Sequence, residues 1–302
     1  MLSYWERSTL LDFDLVVIGG GIVGHSTALF YSQQHPTHRV ALVERGLLPS
    51  GASTKNAGFA CFGSIAELAD DVAAMGEQAT VELVLKRYNG LRLLRETISD
   101  GALDYREVGG YELGWGAADS EAIQRFNDLL EPALGSRPYS DASEEISGFG
   151  FGDRVQSLVK NNLEGTVHTG KMMAGFACRV AEAGVQVFTQ TPVLSIDEGS
   201  DAVEVWVRAG DDSVVLRGQQ VALCTNAFTN QFLPNLELEP GRGMVLVTKP
   251  HRGINWQGSF HYHSGYHYFR TEQSRIILGG GRQLDLEGER TIEEGLNERI
   301  KA

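Results

Sequence analysis

Residues 12–24 read DFDLVVIGGGIVG, and this stretch decides the fold. A short apolar run rich in valine and isoleucine ends at three consecutive glycines, which is typical of a buried parallel strand. Residues 22–34 then have helical character, and a second apolar strand follows at 39–44. A strand, a helix and a strand within about 30 residues predict a right-handed βαβ unit.

The glycines of this stretch form the GxGxxG pattern of a dinucleotide-binding turn. Gly19 makes the tight turn, Gly21 lets a pyrophosphate approach the backbone, and Gly24 lets the helix pack on the strand. Glu44 ends the second strand, 20 residues after Gly24. A carboxylate there accepts both ribose hydroxyls and repels a 2′-phosphate, which disfavours NADP. The motif alone leaves FAD and NAD open.

Composition excludes several classes of protein. The 302 residues are 42% hydrophobic, so the chain is not disordered, and the length predicts two domains or one large one. The net charge of −13 argues against a nucleic-acid surface and against a polybasic membrane anchor. The three cysteines are far apart and fit neither a disulfide framework nor a zinc cluster. With no signal-peptide pattern and no apolar run of about 18 residues, we expect a cytoplasmic protein.

Several further motifs carry a resemblance to a known family. In chain order they are Phe13–Gly24, Glu44-Arg45, Ser50–Ser64, His168–Lys171, Cys224–Ala227, Gly241–Gly243, Tyr266–Arg270 and Leu278–Arg282. Together they resemble the D-amino-acid oxidase (DAO) superfamily of FAD-dependent oxidoreductases, in particular its glycine oxidase-like and sarcosine oxidase-like members. The resemblance covers nearly the whole chain in order.

The resemblance implies an α/β fold with a Rossmann-type FAD-binding domain and a second, substrate domain built on a mixed β-sheet. We expect the FAD-binding domain to be discontinuous, over residues 1–65 and 150–235, and the substrate domain to use 66–149 and 236–302. Family members carry a further C-terminal segment that covers the flavin. That segment is missing after Arg282, so we expect this sequence to be a truncated form of a longer protein.

The resemblance also implies which residues bind FAD. The loop after the second strand wraps the flavin phosphates and the isoalloxazine ring, and its hydroxyls, amide and small residues suit that role. Val193 matches a residue that contacts the adenine through its backbone. Asn226 stands where a strand-end motif of the family has glycine, and asparagine tolerates left-handed backbone angles. The predicted cofactor-binding residues are Gly19, Gly21, Ile22, Val23, Gly24, Glu44, Arg45, Ser53, Thr54, Asn56, Ala57, Gly58, Val193, Thr225, Asn226, Ala227, Arg242, Gly280 and Gly281.

The predicted catalytic residues are Tyr266, Tyr268, Arg270 and His168. The first three alternate along β-rich sequence and should share one face of a sheet. Two phenols and a guanidinium there suit a substrate carboxylate, although a solvated sheet face would show the same pattern. The histidines within 261–267 lack a carboxylate or cysteine at ligand spacing, so no metal site is expected.

The leading functional hypothesis is an FAD-dependent oxidoreductase that oxidises a small amino acid or amine by hydride transfer to flavin N5. The alternatives are an FAD-dependent 2-hydroxy-acid dehydrogenase, a flavin-binding protein without turnover or a truncated fragment, and an NAD-dependent dehydrogenase. The sequence has no Tyr-x-x-x-Lys pair, which the NAD-dependent alternative would be expected to use for catalysis. The expected partner is a small amine, amino acid or hydroxy acid, with no nucleic acid and no membrane. The sequence does not specify an oligomeric state.

Overall fold

The computed structural model describes residues 2–49, 51–254 and 256–301. Ser50, which belongs to the predicted flavin loop, lies outside the described residues, as do the terminal residues 1 and 302 of the predicted domains.

The chain forms two compact units. The first comprises the residues up to Lys55 together with Thr169–Gly241, and the second comprises Asn56–His168 together with the residues from Arg242 onward. Residues 56–65 and 150–168, which the sequence assigns to the FAD-binding domain, lie in the second unit, and residues 236–241 lie in the first. The assignment of a cofactor domain and a substrate domain stays a prediction.

The elements have the following bounds. The helices are α1 (Tyr4–Thr9), α2 (Ile22–Gln34), α3 (Ile65–Met75), α4 (Glu77–Ile98), α5 (Asp100–Leu103), α6 (Ser120–Leu134), α7 (Ile146–Phe149), α8 (Thr169–Glu182) and α9 (Glu298–Lys301). The strands are β1 (Asp12–Ile18), β2 (Val40–Val43), β3 (Phe59–Ala60), β4 (Gly110–Gly114), β5 (Tyr139–Asp141), β6 (Ser157–Asn161), β7 (Gly165–Thr166), β8 (Gln186–Phe188), β9 (Val193–Glu198), β10 (Val203–Ala209), β11 (Asp212–Leu223), β12 (Val245–Val247), β13 (Ser259–Tyr262), β14 (His267–Glu272) and β15 (Arg275–Gly280). Short 3₁₀ helices lie at Ser143–Glu145, Asn226–Gln231 and Arg282–Leu284.

The first unit is built on a six-stranded sheet in the order β8-β2-β1-β11-β10-β9. The strands β8, β2, β1 and β11 run parallel, and β10 and β9 continue the sheet antiparallel. Val16 and Val17 in β1 are both fully buried, which explains why this strand is apolar on both faces. Helix α2 connects β1 to β2 and contacts α8. The predicted βαβ unit and the α/β fold class are confirmed.

The second unit is built on a seven-stranded mixed sheet in the order β12-β15-β14-β13-β4-β6-β5. Strands β13 and β4 are parallel, and the other pairs are antiparallel. One face is aromatic: Tyr111, Phe260 and Phe269 are neighbours in register, with ring centroids 5.1 and 5.2 Å apart. Because side chains alternate along a strand, the next residues, among them Tyr268, lie on the opposite face.

Helices α3, α4 and α6 form a second core of this unit around Leu68, Val84 and Leu130, which are fully buried. Helix α3 begins with a capping box, in which Ser64 and Glu67 each accept the other's backbone N–H. A capping group of this kind contributes about 1 kcal/mol. It fixes the start of α3 directly after residues 56–63.

The sequence also predicts a hairpin of residues 105–108 with 110–115 and the beginning of a helix over Thr291–Ile300, and both predictions are wrong. Residues 105–108 do not form a hairpin with β4; only Arg106 makes an isolated bridge, to Thr166, and β4 pairs with β6 and β13 instead. The predicted helix Thr291–Ile300 is helical only from Glu298. Gly295 lies within that window, and the carbonyl of Glu293 accepts a hydrogen bond from Arg242 rather than from a helical amide. Within the described ranges, no helix is both long and apolar enough to cross a bilayer.

Candidate functional site

The glycine turn after β1 depends on the absence of side chains. Gly19 has a φ of +111°, and a Cβ there would collide with the carbonyl oxygen of Cys224 at the end of β11. A Cβ on Gly24 would collide with the carbonyl oxygen of Gly19, so α2 packs directly on the turn. Gly21 is the N-cap of α2 and provides no side-chain cap. The N-cap residue itself therefore places no side chain at the N-terminus of α2, which leaves room for a phosphate there.

Glu44 lies at the end of β2 and is buried, with 9% of its surface exposed. Its Oε2 accepts the N–H of Gly20 at 2.8 Å, and its Oε1 accepts the N–H of Gly46 at 2.8 Å. An ionised carboxylate has about four acceptor positions, so both oxygens retain capacity for hydroxyl donors. This arrangement fixes the carboxylate beside the glycine turn and suits a ribose.

Ser53 ties its loop to the same turn. Its Oγ accepts the N–H of Ile22, the first residue of α2, at 2.9 Å. The hydroxyl thus acts as a helix cap supplied from a distant part of the chain. Thr54 donates to the carbonyl of Pro49 at 2.8 Å, and the side chain of Val23 is exposed.

The end of β11 lies against the glycine turn in the same unit. Asn226 has a φ of +45°, the left-handed conformation predicted for it, and begins the short helix Asn226–Gln231. The Oγ1 atoms of Thr225 and Thr229 lie 2.9 Å apart. The guanidinium of Arg45 lies over the ring of Phe228, 3.7 Å from its centroid. Val193 begins β9 and Ala227 is the second residue of the short helix.

These features fit the adenine-dinucleotide part of FAD. A side-chain-free turn and a helix N-terminus suit a pyrophosphate, and the acceptor-only carboxylate of Glu44 suits the ribose hydroxyls. All of these residues belong to the first unit.

In the second unit, the predicted flavin residues Asn56, Ala57 and Gly58 form a tight turn. The Oδ1 of Asn56 accepts the N–H of Gly58 at 2.8 Å. Gly58 has a φ of +72°, and a Cβ there would collide with the carbonyl oxygen of Val167. The N–H of Val167 donates to the carbonyl of Gly58 at 2.9 Å. The turn is therefore packed against the strand end of β7, and glycine is required at its centre.

Arg270, predicted to bind substrate, is 4% exposed and lies under this turn. Its Nε donates to the carbonyl of Ala57 at 2.5 Å, and its Nη2 donates to the carbonyl of Val167 at 3.3 Å. Its Nη2 also lies 3.2 Å from Oε2 of Glu272. Burial lowers the pKa of Arg270, and the negative charge of Glu272 acts in the opposite direction. A buried cation of this kind is tolerated because it is paired and hydrogen-bonded.

The other predicted catalytic residues are placed differently from one another. Tyr268 shares the face of Arg270 on β14, its ring lies over Gly279, and burial raises the pKa of its phenol. Its ring meets that of Phe59 edge-on, with centroids 5.6 Å apart. Tyr266 precedes β14 and is 41% exposed, so it is not on the strand with the other two. His168 is half-buried, and its backbone N–H donates to the backbone carbonyl of Leu103 at 3.0 Å.

Arg242 is engaged with a buried carboxylate. Its Nε and Nη2 donate to the two carboxylate oxygens of Glu289 at 2.9 and 2.8 Å, and its Nη1 donates to the carbonyl of Glu293 at 3.0 Å. Glu289 is fully buried, and its hydrogen bonds from Arg242 lower its pKa. Gly280 and Gly281 have φ values of +121° and +80° at the end of β15. The roles predicted for these residues in cofactor binding stay predictions.

Glu164 is a buried titratable residue for which no pattern in the sequence predicts a role. Its Oε1 accepts the N–H groups of Phe62 at 2.8 Å and Gly63 at 3.2 Å. It is 3% exposed, and burial raises its pKa to about 8 although the two N–H groups oppose this shift. Tyr139 donates its hydroxyl to the carbonyl of Gly63 at 2.6 Å. In sequence, Glu164 lies in the polar stretch 160–165, which reads as an exposed loop.

Among residues 2–49, 51–254 and 256–301, no group of three or more His, Cys, Asp or Glu side chains is placed to hold a metal ion. The rings of His263 and His267 are stacked, with their centroids 6.2 Å apart.

Comparison with known proteins identifies the class. Residues 14–302 match the family of FAD dependent oxidoreductases, DAO, and the chain belongs to this family. The resemblance stated from the sequence is therefore confirmed, and FAD is the cofactor that the family's description names.

Individual relatives are distant. "Probable oxidoreductase OrdL" of Haemophilus influenzae is 25% identical in an alignment 252 residues long, which covers 78% of this chain and 56% of that protein. Glycine oxidase of Bacillus subtilis is 25% identical in an alignment 240 residues long, which covers 75% of this chain and 57% of that protein. The structure of glycine oxidase from Bacillus cereus superposes with a TM-score of 0.67 at 20% identity, over 96% of this chain and 75% of that one. The chain thus spans little more than half the length of the curated relatives it matches.

Proposed function

We propose that the protein binds FAD and oxidises a small amino acid or another small amine. The observation that carries the proposal is the position of the Glu44 carboxylate, which two backbone N–H groups hold beside the glycine turn. A side chain at Gly19 or Gly24 of this turn would collide with the backbone. Membership of the FAD dependent oxidoreductase family supports the cofactor. Similarity to two proteins called glycine oxidase supports the substrate class.

In the first unit, the turn at Gly19–Gly24 would hold the pyrophosphate and Glu44 the ribose hydroxyls. Arg45 and Val193 would hold the adenosine, together with the segment Thr225–Ala227. In the second unit, residues 56–58 are the proposed flavin residues. When bound, the flavin supplies an acceptor for a hydride and its electron pair.

The chain's own side chains would bind and orient the substrate. The phenol of Tyr268 is protonated at neutral pH, because its ordinary pKa is already 10 and burial raises it further, so it can donate a hydrogen bond to a substrate carboxylate. Tyr266 and His168 are the further candidates for contact with the substrate. A small-molecule partner and a cytoplasmic location stay predictions.

The test is the anaerobic reduction of bound FAD, which is measured as loss of the flavin's visible absorption. The substrates are a panel of amino acids, N-methyl amino acids and 2-hydroxy acids. We expect bleaching by members of the first two groups. Tyr268→Phe should slow bleaching about tenfold or more, since a hydrogen bond to a charged group is lost. Tyr4→Phe, which removes an exposed phenol hydroxyl from α1, is the control and should have no effect.

Other outcomes decide between the remaining functions. Bleaching only by 2-hydroxy acids would favour a hydroxy-acid dehydrogenase. Bound FAD that no substrate reduces would favour a flavin-binding protein without turnover. A protein that binds NAD but not FAD in a titration would contradict the proposal.

A further inference from the structure

We infer that Arg270 is a positioning residue, which fixes the backbone of residues 57–58 from the neighbouring strand β14. The inference rests on the proposed function in one respect, since residues 57–58 belong to the proposed flavin residues. This role differs from the one that the alternating pattern of β14 predicts for Arg270, which is to bind a substrate carboxylate.

The contacts of the guanidinium are directed at the main chain. Its Nε and Nη2 donate to the carbonyl oxygens of Ala57 and Val167, which belong to two separate segments. The two segments are themselves joined, because Val167 donates its N–H to the carbonyl of Gly58. Arg270, on β14, therefore lies beneath the junction of these two segments and donates to a carbonyl oxygen in each of them.

Burial and charge support this task. Arg270 is 4% exposed, so a substrate carboxylate would have to displace existing contacts to reach its fork. Its positive charge is already balanced by Glu272, whose Oε2 lies 3.2 Å from Nη2. A paired and hydrogen-bonded guanidinium is costly to remove, because its partners would be left buried without donors.

The glycine at position 58 agrees with a fixed junction. A Cβ on Gly58 would lie 3.1 Å from Nη2 of Arg270 and would also collide with the carbonyl of Val167. Position 58 therefore has to be glycine for the turn to pack on Val167, and its missing side chain also leaves room for the guanidinium. Asn56 completes the turn by accepting the N–H of Gly58. Residues 56–58 are thus held from within by Asn56 and from below by Arg270.

The first test needs no cofactor. Hydrogen exchange of the full chain is compared for the wild type, R270M, R270K and the control R275M. Arg275 is a suitable control because it is exposed, lies on the adjacent strand β15, and also donates to a backbone carbonyl, that of Thr248. We expect R270M to speed amide exchange about tenfold or more in peptides that cover 57–60 and 166–168, with a smaller effect in R270K. R275M should leave these peptides unchanged.

The second test adds cofactor affinity. We expect R270M to raise the Kd for FAD about tenfold and to change the Kd for ADP less than about twofold, since the proposed ADP residues lie in the first unit. Compared with R270M, R270K should recover part of the FAD affinity and of the flavin band shape. A general loss of stability would not explain such a recovery.

Unchanged exchange in both Arg270 variants would overturn the inference, as would an equal effect of R275M. If R270M does not fold by far-UV circular dichroism, the same peptides are read in R270K. A wild type that binds no FAD would defeat the proposed function, while the exchange data would still decide the role of Arg270.

Discussion

Replacing Glu164 by glutamine should change how the stability of the second unit depends on pH. The pKa of Glu164 is raised from 4.5 to about 8 in the folded state. At about 1.4 kcal/mol for each pKa unit, this shift corresponds to about 5 kcal/mol. Because the folded pKa lies above the unfolded one, the stabilisation is fully present below pH 4.5 and is lost as pH rises through 8. About 3 kcal/mol of it is already lost at pH 7.

The glutamine variant keeps an oxygen for the N–H groups of Phe62 and Gly63 but cannot ionise. The free energy of unfolding in urea is measured from pH 4.5 to 8.5 for the wild type, Glu164→Gln and Glu144→Gln. Glu144 is an exposed glutamate of the same unit and serves as the matched control. We expect Glu164→Gln to gain stability relative to the wild type by several kcal/mol across this range, and Glu144→Gln to remain parallel to it.

Parallel curves for the wild type and Glu164→Gln would refute the reasoning. They would mean that Glu164 ionises in the folded protein near its ordinary pKa, and that its two backbone N–H donors offset the effect of its burial on the pKa. A gain of the same size in Glu144→Gln would also refute it, because the effect would then come from net charge alone.

Three further perturbations concern the first unit. Gly24→Ala places a Cβ on the backbone of the glycine turn and should destabilise the protein by about 1–3 kcal/mol in thermal unfolding, whereas Gly51→Ala, in open space, should not. Glu44→Gln leaves one of two backbone N–H groups without its acceptor and should weaken FAD binding about tenfold in a fluorescence titration. Ser53→Ala removes the cap on Ile22 and should lower the free energy of unfolding by about 1 kcal/mol. An unchanged Kd for Glu44→Gln, or an unchanged stability for either of the other variants, would contradict the role given to that residue.

Local signals predicted the first unit well. The strand β1, the glycine turn and the position of Glu44 after β2 can be predicted because glycine spacing, β-branched runs and a carboxylate at a strand end are all visible within about 30 residues, whereas the role of Glu44 stays a prediction. Two helices of the second unit also follow local signals, since apolar patterns in the sequence predict helices at 65–75 and 120–134, and α3 and α6 have these bounds. Asn226 takes the left-handed conformation expected where a glycine is replaced.

The second unit was harder to predict because its decisive contacts join distant segments. The strands β3 and β7 have two residues each, too short for any periodic pattern. The alternation in β14 correctly placed Tyr268 and Arg270 on one face, yet it could not show that Arg270 meets the carbonyls of Ala57 and Val167. Glu164 has no local signal at all, since its partners lie about 100 residues earlier in the chain.

The sheet order of the first unit has a consequence for synthesis of the chain. Strand β1 pairs with β11, so Leu15 meets Gln220 across 205 residues. At about 5–20 residues per second, β11 leaves the ribosome about 10–40 s after β1. During that interval one edge of a mostly apolar strand lacks its neighbour, and Val16 and Val17, which are fully buried in the folded protein, have no complete core to enter. We therefore expect residues 12–18 of the nascent chain to be open to aggregation until β11 has been made.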